Sequence, residues 1–321
     1  MRRISDECGA TAVLVALLMV PLIGFAAITI DVGALYVERR QLQNGADAAA
    51  LAIAQDCRDG VCDADPADTA AGLADANAND DNAFAKIVAF ESVPDSGAGS
   101  VTVQTSTETD DGSTGLAHFF APILGVDSTE VAATASAVWG APVGGPTFFP
   151  FVISSCEFDK GFDVLLTIKL MSDDNKCEGP YGGNEVPGGF GWVPSSADGC
   201  GSNPIAVEQD VVGSDPGASM PAGCTALLEG LQGKTLLFPI YGAASGTGSG
   251  ATYTIYGFAA FRITGWKLPS SNHPDPAAGS CSNKCVQGMF EEFVALDDAY
   301  EYGTAPDLGA SVIKLTLENG S

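Results

Sequence analysis

Residues 8–52, CGATAVLVALLMVPLIGFAAITIDVGALYVERRQLQNGADAAALA, decide how the rest of the chain is read. Residues 9–30 carry no charge, and these 22 positions exceed the roughly 20 that a helix needs to cross a bilayer. Pro21 and Gly24 interrupt the run, but membrane helices tolerate both. The apolar core of a secretory signal spans only about 7–15 residues, so a retained anchor is the preferred reading. A signal peptide cut near GFAA (residues 24–27) and a buried core helix are the alternatives. Beyond the run, Leu35, Leu42, Ala46, Ala49 and Ile53 recur at spacings of 7, 4, 3 and 4, which is one face of a helix. Arg40, Gln43, Asn44 and Asp47 form a polar stripe elsewhere on it, and alanine-rich sequence favours helix. The pattern predicts one long helix, half in lipid and half outside. Its small-residue face suits close packing on another membrane helix or on the chain's own next domain, and both readings stand.

Charge limits the partners. The chain of 321 residues holds 40 acidic and 14 basic side chains, a formal net charge of −26. Nucleic acid is excluded on this ground, because phosphate binding needs clustered Lys and Arg. Arg2 and Arg3 precede the apolar run and Arg39 and Arg40 follow it, so positive-inside counting is nearly tied. The nine cysteines break the tie. Cys8 lies before the run, and Cys57, Cys62, Cys156, Cys177, Cys200, Cys224, Cys281 and Cys285 lie after it. With the N-terminus cytoplasmic, that even set stands outside, where disulfides persist. Cys57–Cys62 and Cys281–Cys285 are the local pairings suggested by proximity. Zinc is the rival, but the close pairs lack the usual two-residue spacing and only two histidines exist.

The expected fold class is α+β. Residues 1–9 form a cytoplasmic N-terminus, 10–30 the transmembrane helix and 31–57 a helical stem. Residues 58–145 form a small α+β unit, and 146–321 a mainly β, cysteine-containing ectodomain. The acidic stretch after Cys57 reads as a connector with a short helix. Its Asp63, Asp65 and Asp68 fail the EF-hand spacing, since a glycine is required where Asp68 stands. Residues 101–104 and 131–138 alternate as strands, and LAHFFAPILG between them reads as a short amphipathic helix. GAPVGGP (residues 140–146) reads as a linker. FFPFVISSCEF, FDVLLTIKL, TLLFPIY, TYTIYGFAAFRITGW and SVIKLTLE favour strands, with Tyr253, Ile255, Gly257, Ala259, Phe261 and Ile263 on one face of the longest.

No catalytic, cofactor-binding or metal-ligating residue emerges, and no small-molecule substrate is identified. His118 reads as a half-buried packing residue and His273 as a surface one, so no nucleophile–base arrangement suggests itself. GTGSGA (residues 246–251) imitates a dinucleotide fingerprint, but a strand follows it rather than a helix, so it reads as a hairpin loop. The acid pairs Glu291/Glu292 and Asp297/Asp298 are adjacent in sequence only. Tyr181, Phe190, Trp192 and Trp266 offer either core packing or a surface that binds glycan or protein.

Gly9 and Ala10 before the apolar span, then Asp31, Gly33, Leu35, Tyr36, Arg39, Leu42, Gln43, Ala46, Asp47 and Ala48 to Ala50, resemble the N-terminal signature of TadE/TadG-like Flp pilus-assembly proteins. Residues 119–140 are similar to the following part of such proteins; beyond Pro146 the likeness is loose and of an actinobacterial type. The resemblance implies a membrane-anchored, non-enzymatic pilus-assembly or anchoring factor in the cell envelope, partnered by other pilin-like proteins. It also implies prepilin-type processing at Gly9–Ala10 as one of two outcomes, cut or uncut. The chain departs from the pattern at Leu14, where the family's pseudopilins carry a Glu. It also lacks the D-x-S-x-S run of a von Willebrand factor A metal site. The first departure points away from a main fibre subunit. A surface-tethered adhesion module is the alternative function.

Overall fold

The computed structural model describes residues 8–62, 66–93, 97–108, 114–170, 172–182, 185–195, 200–201, 204–207, 211–213, 220, 223–246, 250–282, 284–295 and 299–316. Helix α1, Cys8–Arg58, runs unbroken through Pro21 for 51 residues. At 1.5 Å per residue it is about 77 Å long. Large side chains from Val13 to Ile30 stand in the open; Val20 is 74% exposed. Above them the same helix is built into protein: Leu42, Ala46, Ala49, Ala50, Ile53 and Ala54 are buried. Disulfide Cys57–Cys62 closes the helix end.

Helix α2, Ala67–Asn77, packs against α1. Small residues make that contact close. A Cβ built at Gly45 would stand 3.1 Å from the Cα of Ala74. Strands β1 (Ala83–Val93), β2 (Ala98–Thr107) and, after the short pair β3 (Leu116–Ala117) and β4 (Ser128–Thr129), β5 (Ala132–Gly145) follow. A seven-stranded sheet runs β1, β2, β5, Ala310–Thr316, Phe293–Ala295, with Ile205–Ala206 and Glu301–Gly303 also pairing with β5. Its helix-side face presents Val101, Val103, Ala135, Ala137, Trp139 and Ile313 to Ala46, Ala49, Ala50, Ile53 and Ala54.

The second sheet has eight strands. Its path is Phe190–Trp192, Phe151–Ser154, Thr235–Ser245, Thr252–Leu268, Cys285–Glu291, Leu166–Lys169. The 17-residue Thr252–Leu268 strand is its spine, and every second residue from Tyr253 to Ile263 is buried. One face packs Phe149, Phe151, Phe190, Trp192, Phe238, Phe261 and Trp266 in one core, with Phe151 stacked on Phe238 at 4.3 Å. Across the strand, Leu237 and Ala260 join Tyr300, Ala310 and Val312, so the two sheets share a core. Disulfides Cys156–Cys177, Cys200–Cys224 and Cys281–Cys285 complete four, using all eight cysteines after the apolar run.

Four expectations change. Residues 140–146 are not a linker: β5 continues to Gly145 and pairs there with Glu301–Gly303. Pro142 is accommodated because the register shifts beside its partner Tyr302, the kind of irregularity that admits proline within a sheet. Nor does the chain divide at 145/146, because the SVIKLTLE strand leaves the second part and pairs with β5 from Val312 to Thr316. LAHFFAPILG is not an amphipathic helix. It is a two-residue strand followed by a 3-10 turn, Ala121–Leu124, with Pro122 at its start and Gly125 in the left-handed region (φ 83°) at its end. The acidic connector, expected to run over residues 58–86, is shorter, because its last four residues, AFAK, open β1. Asp63 and Asp65 lie outside the described residues, and Asp68 sits in the first turn of α2.

Candidate functional site at the helix junction

The chain's distinctive construction is the passage of α1 from open surroundings into the first sheet. The helix face made of Leu35, Leu42, Ala46, Ala49 and Ile53 lies against its own chain. Leu42 packs with Ala74, Ala83, Val131 and Ala133, and half-buried Leu35 joins that cluster. Ala46, Ala49 and Ile53 sit in the next cluster above it. Because these residues are small, backbone comes near backbone, and polar contacts reach the helix itself. Buried Thr105 donates its hydroxyl to the Leu42 carbonyl at 2.8 Å. Gln43 donates to the Asp47 carboxylate at 2.8 Å and to the Thr134 carbonyl at 3.3 Å. The Asn79 amide donates to the Gln41 side chain at 3.0 Å. At the top, Arg58 donates to the Gly309 carbonyl at 3.2 Å. The stem is thus fixed along its length.

At the lower edge of the junction stands Asp31, the first charged residue after the apolar run and 6% exposed. Its carboxylate accepts from three consecutive backbone amides, Phe119 at 2.9 Å, Phe120 at 3.1 Å and Ala121 at 2.8 Å. These amides open the 3-10 turn, whose first N–H groups have no partner of their own. The Asp31 carboxylate thereby gains three charge-assisted bonds. Farther along α1, the Arg40 guanidinium lies 4.7 Å from the Tyr36 ring centre. Asp31 was legible as part of a signature, but its partners were not. A lone acid directly after an uncharged run was the available signal.

Other candidates resolve into structure. Gly9 and Ala10 form part of the first turn of α1, and Leu14 is 61% exposed beside them. Phe190, Trp192 and Trp266 are buried, which leaves only Tyr181 of that quartet at the surface, so three of the four aromatics pack the core. His118 is half-buried, with Nε2 2.8 Å from the Thr129 hydroxyl, and exposed His273 packs its ring on Trp266. Ser245 and Thr252, on either side of GTGSGA, stand opposite each other on two antiparallel strands, while residues 247–249 lie outside the described residues. Glu291 pairs with Arg262 at 2.6 Å and accepts from Thr235 at 2.7 Å. Asp297 and Asp298 lie outside the described residues. Besides Asp31, Glu157 is the other buried carboxylate among the described residues. Lys160, Asn175 and the Gly189 amide all reach it, so it serves the fold around Cys156–Cys177.

Residues 9–56 match the model of the Tad family, described as Flp pilus-assembly TadE/G-like. That span begins at the first turn of α1 and ends two residues before its last, so the matched unit is the helix itself, with Asp31 and the packing face inside it. No curated protein and no solved structure matches the chain. The helix is therefore similar to a pilus-assembly element, and the two sheets above it have no counterpart among those comparisons.

Proposed function

We propose that this chain is a membrane-anchored, non-enzymatic assembly or anchoring factor for a Tad/Flp-type pilus. The observation that carries the reading is the coincidence of the family match with one helix, bare below and packed above. The N-terminus is cytoplasmic and the ectodomain stands on the far side, a topology supported by the four disulfides after the apolar run. The exposed half of α1 packs on other pilin-like helices within the bilayer. Its packed half transmits their position to the ectodomain without a hinge. Leu14, uncharged and exposed, gives no partner for a neighbour's terminal amine, which favours an accessory role over that of main subunit.

Deletion of the gene from its native cells tests the role. Loss of surface fibres, restored by the full chain and not by one lacking residues 1–30, is the expected result. Normal fibres in the deletion strain overturn a role in assembly. Purified fibres built mainly of this chain overturn the accessory role. N-terminal sequencing of the membrane-extracted protein reads the processing: a start at Ala10 means pilin-like maturation, and a start at Met1 means none.

A further inference from the structure

Residues 114–126, TGLAHFFAPILGV, contain no Asp, Glu, Lys or Arg in a chain of net charge −26. Leu116 packs beside the Leu42 cluster, but the large side chains that follow it stand in the open. Phe119 is 75% exposed, Ile123 86% and Val126 48%. Such side chains in sequence-adjacent array need a cover. Their position says what it is. The loop hangs from Asp31, and Phe120 and Ile123 face Val20, Ile23 and Ala27 of the apolar run across a cleft of about 490 Å³. From Asp31 to Val20 is 11 residues, about 16 Å along the helix axis. One leaflet's hydrocarbon is about 15 Å deep.

We infer that residues 114–126 form a lipid-inserting wedge in the leaflet on the ectodomain side, held there by Asp31. The inference rests on the anchored reading of α1. The apolar surface of the wedge is continuous with that of the helix, and an acyl chain fills the cleft between them. Backbone amides exposed to lipid carry a cost of several kcal/mol each when unpaired. The three amides at the start of the turn are those that Asp31 accepts, so the clamp serves both partners: the loop loses its bare donors and the carboxylate enters the interface solvated by protein. A second membrane contact beside the helix fixes the tilt and rotation of the ectodomain, which a single helix alone leaves free.

Phe119→Trp and Ile123→Trp report the position of the loop. The purified full chain is placed in phosphatidylcholine vesicles, and the signal of Trp139, Trp192 and Trp266 is subtracted using the unsubstituted protein. The introduced indole is expected to be quenched several-fold more by bromine-labelled acyl chains than by aqueous iodide. A Phe148→Trp control on the ectodomain, where Phe148 is 46% exposed, should show the reverse. Added to Phe119→Trp, Asp31→Ala should release the loop and transfer quenching from bromolipid to iodide, while the three buried native tryptophans keep their emission. Flotation separates the two levels of the argument. Protein that does not float with vesicles overturns the anchor. Protein that floats with an iodide-quenched loop overturns the wedge alone. Protection from both quenchers in native membranes only, where other proteins are present, assigns the loop to a protein partner and also overturns the lipid proposal. Unchanged bromolipid quenching with Asp31→Ala overturns the clamp.

Discussion

Helix α1 contains two regions with the same backbone and opposite surroundings. From Val13 to Ile30 its side chains are large and bare; from Leu42 to Ala54 its inward face is small and buried. A face of alanines excludes little volume, so a second helix and a sheet approach its backbone closely, and Thr105 reaches a helix carbonyl. The bare half needs the opposite, since large apolar side chains gain most from leaving water for lipid. The comparison therefore assigns the small-residue stripe, which fitted either another membrane helix or the chain's own domain, to the chain's own domain.

One substitution made in each half tests that assignment most strongly. Ile53→Asp places an unpaired carboxylate in the first sheet's core and is expected to cost about 4 kcal/mol or more, enough to prevent folding of the unit. Leu17→Asp should leave the urea midpoint of the ectodomain unchanged and weaken membrane insertion by about 3–4 kcal/mol. Emission of the three buried tryptophans in detergent micelles reads the first effect, and the membrane-bound fraction reads the second. An unchanged midpoint for Ile53→Asp breaks the comparison and returns the stripe to an external partner.

Much of this was legible beforehand because helical spacing and alternation are local signals. The heptad-like run from Leu35 to Ile53 and the odd-numbered residues from Tyr253 to Ile263 were readable from period alone. What failed was non-local. GAPVGG looks like a linker until Glu301–Gly303 pairs with it, and SVIKLTLE carries no mark of belonging to a sheet some 170 residues earlier. The loop at residues 114–126 has helix-like apolar spacing, yet Pro122 and Gly125 confine it to one turn, and its contact with Asp31 spans about 90 residues. No short-range rule reaches so far.

Alkali separates the halves by their environment. Burial pushes the Tyr253 phenol up to about 12, and Tyr241 higher still. The fold holds both neutral where an unfolded chain ionises them near pH 10. Their contribution is complete below about pH 10 and falls as pH rises through 12, because the unfolded state then binds fewer protons. The expected outcome is loss of near-ultraviolet circular dichroism from the ectodomain over that window. Helix signal from the lipid-embedded half should persist, since its backbone bonds have no competitor in the bilayer. Phe replacing both tyrosines should shift the transition upward in pH; an unshifted transition refutes the assignment to these phenols.

The staples rank by the length of chain they close. Cys156–Cys177 spans 21 residues and Cys57–Cys62 spans 5. Loop-closure entropy gives about 3 kcal/mol for the first and about 2 for the second. Replacing each pair by serines should reproduce that order in urea midpoints. A larger loss for Cys57–Cys62 would mean that the top of α1 is held by the disulfide rather than by its packing on the sheet.

The smallest expected effect compares two glycines on the one helix. At Gly33 nothing lies within 4 Å of a built Cβ, whereas at Gly45 the Ala74 backbone is 3.1 Å away. Alanine gains up to about 1 kcal/mol in helix propensity at either site. At Gly33 that gain is unopposed, so Gly33→Ala should leave the thermal midpoint in micelles unchanged or slightly raised. At Gly45 the added methyl must push α2 outward by a few tenths of an ångström, and α2 is tied at its far end by Asp75, which accepts from the Ala83 amide at 3.0 Å. The push therefore strains the turn into β1 as well as the helix contact. Overpacking of this kind typically costs about 1–3 kcal/mol, which exceeds the propensity gain. Gly45→Ala should lower the midpoint while Gly33→Ala does not. Equal midpoints would show that α2 yields freely, and that close approach rather than rigid packing accounts for glycine at position 45.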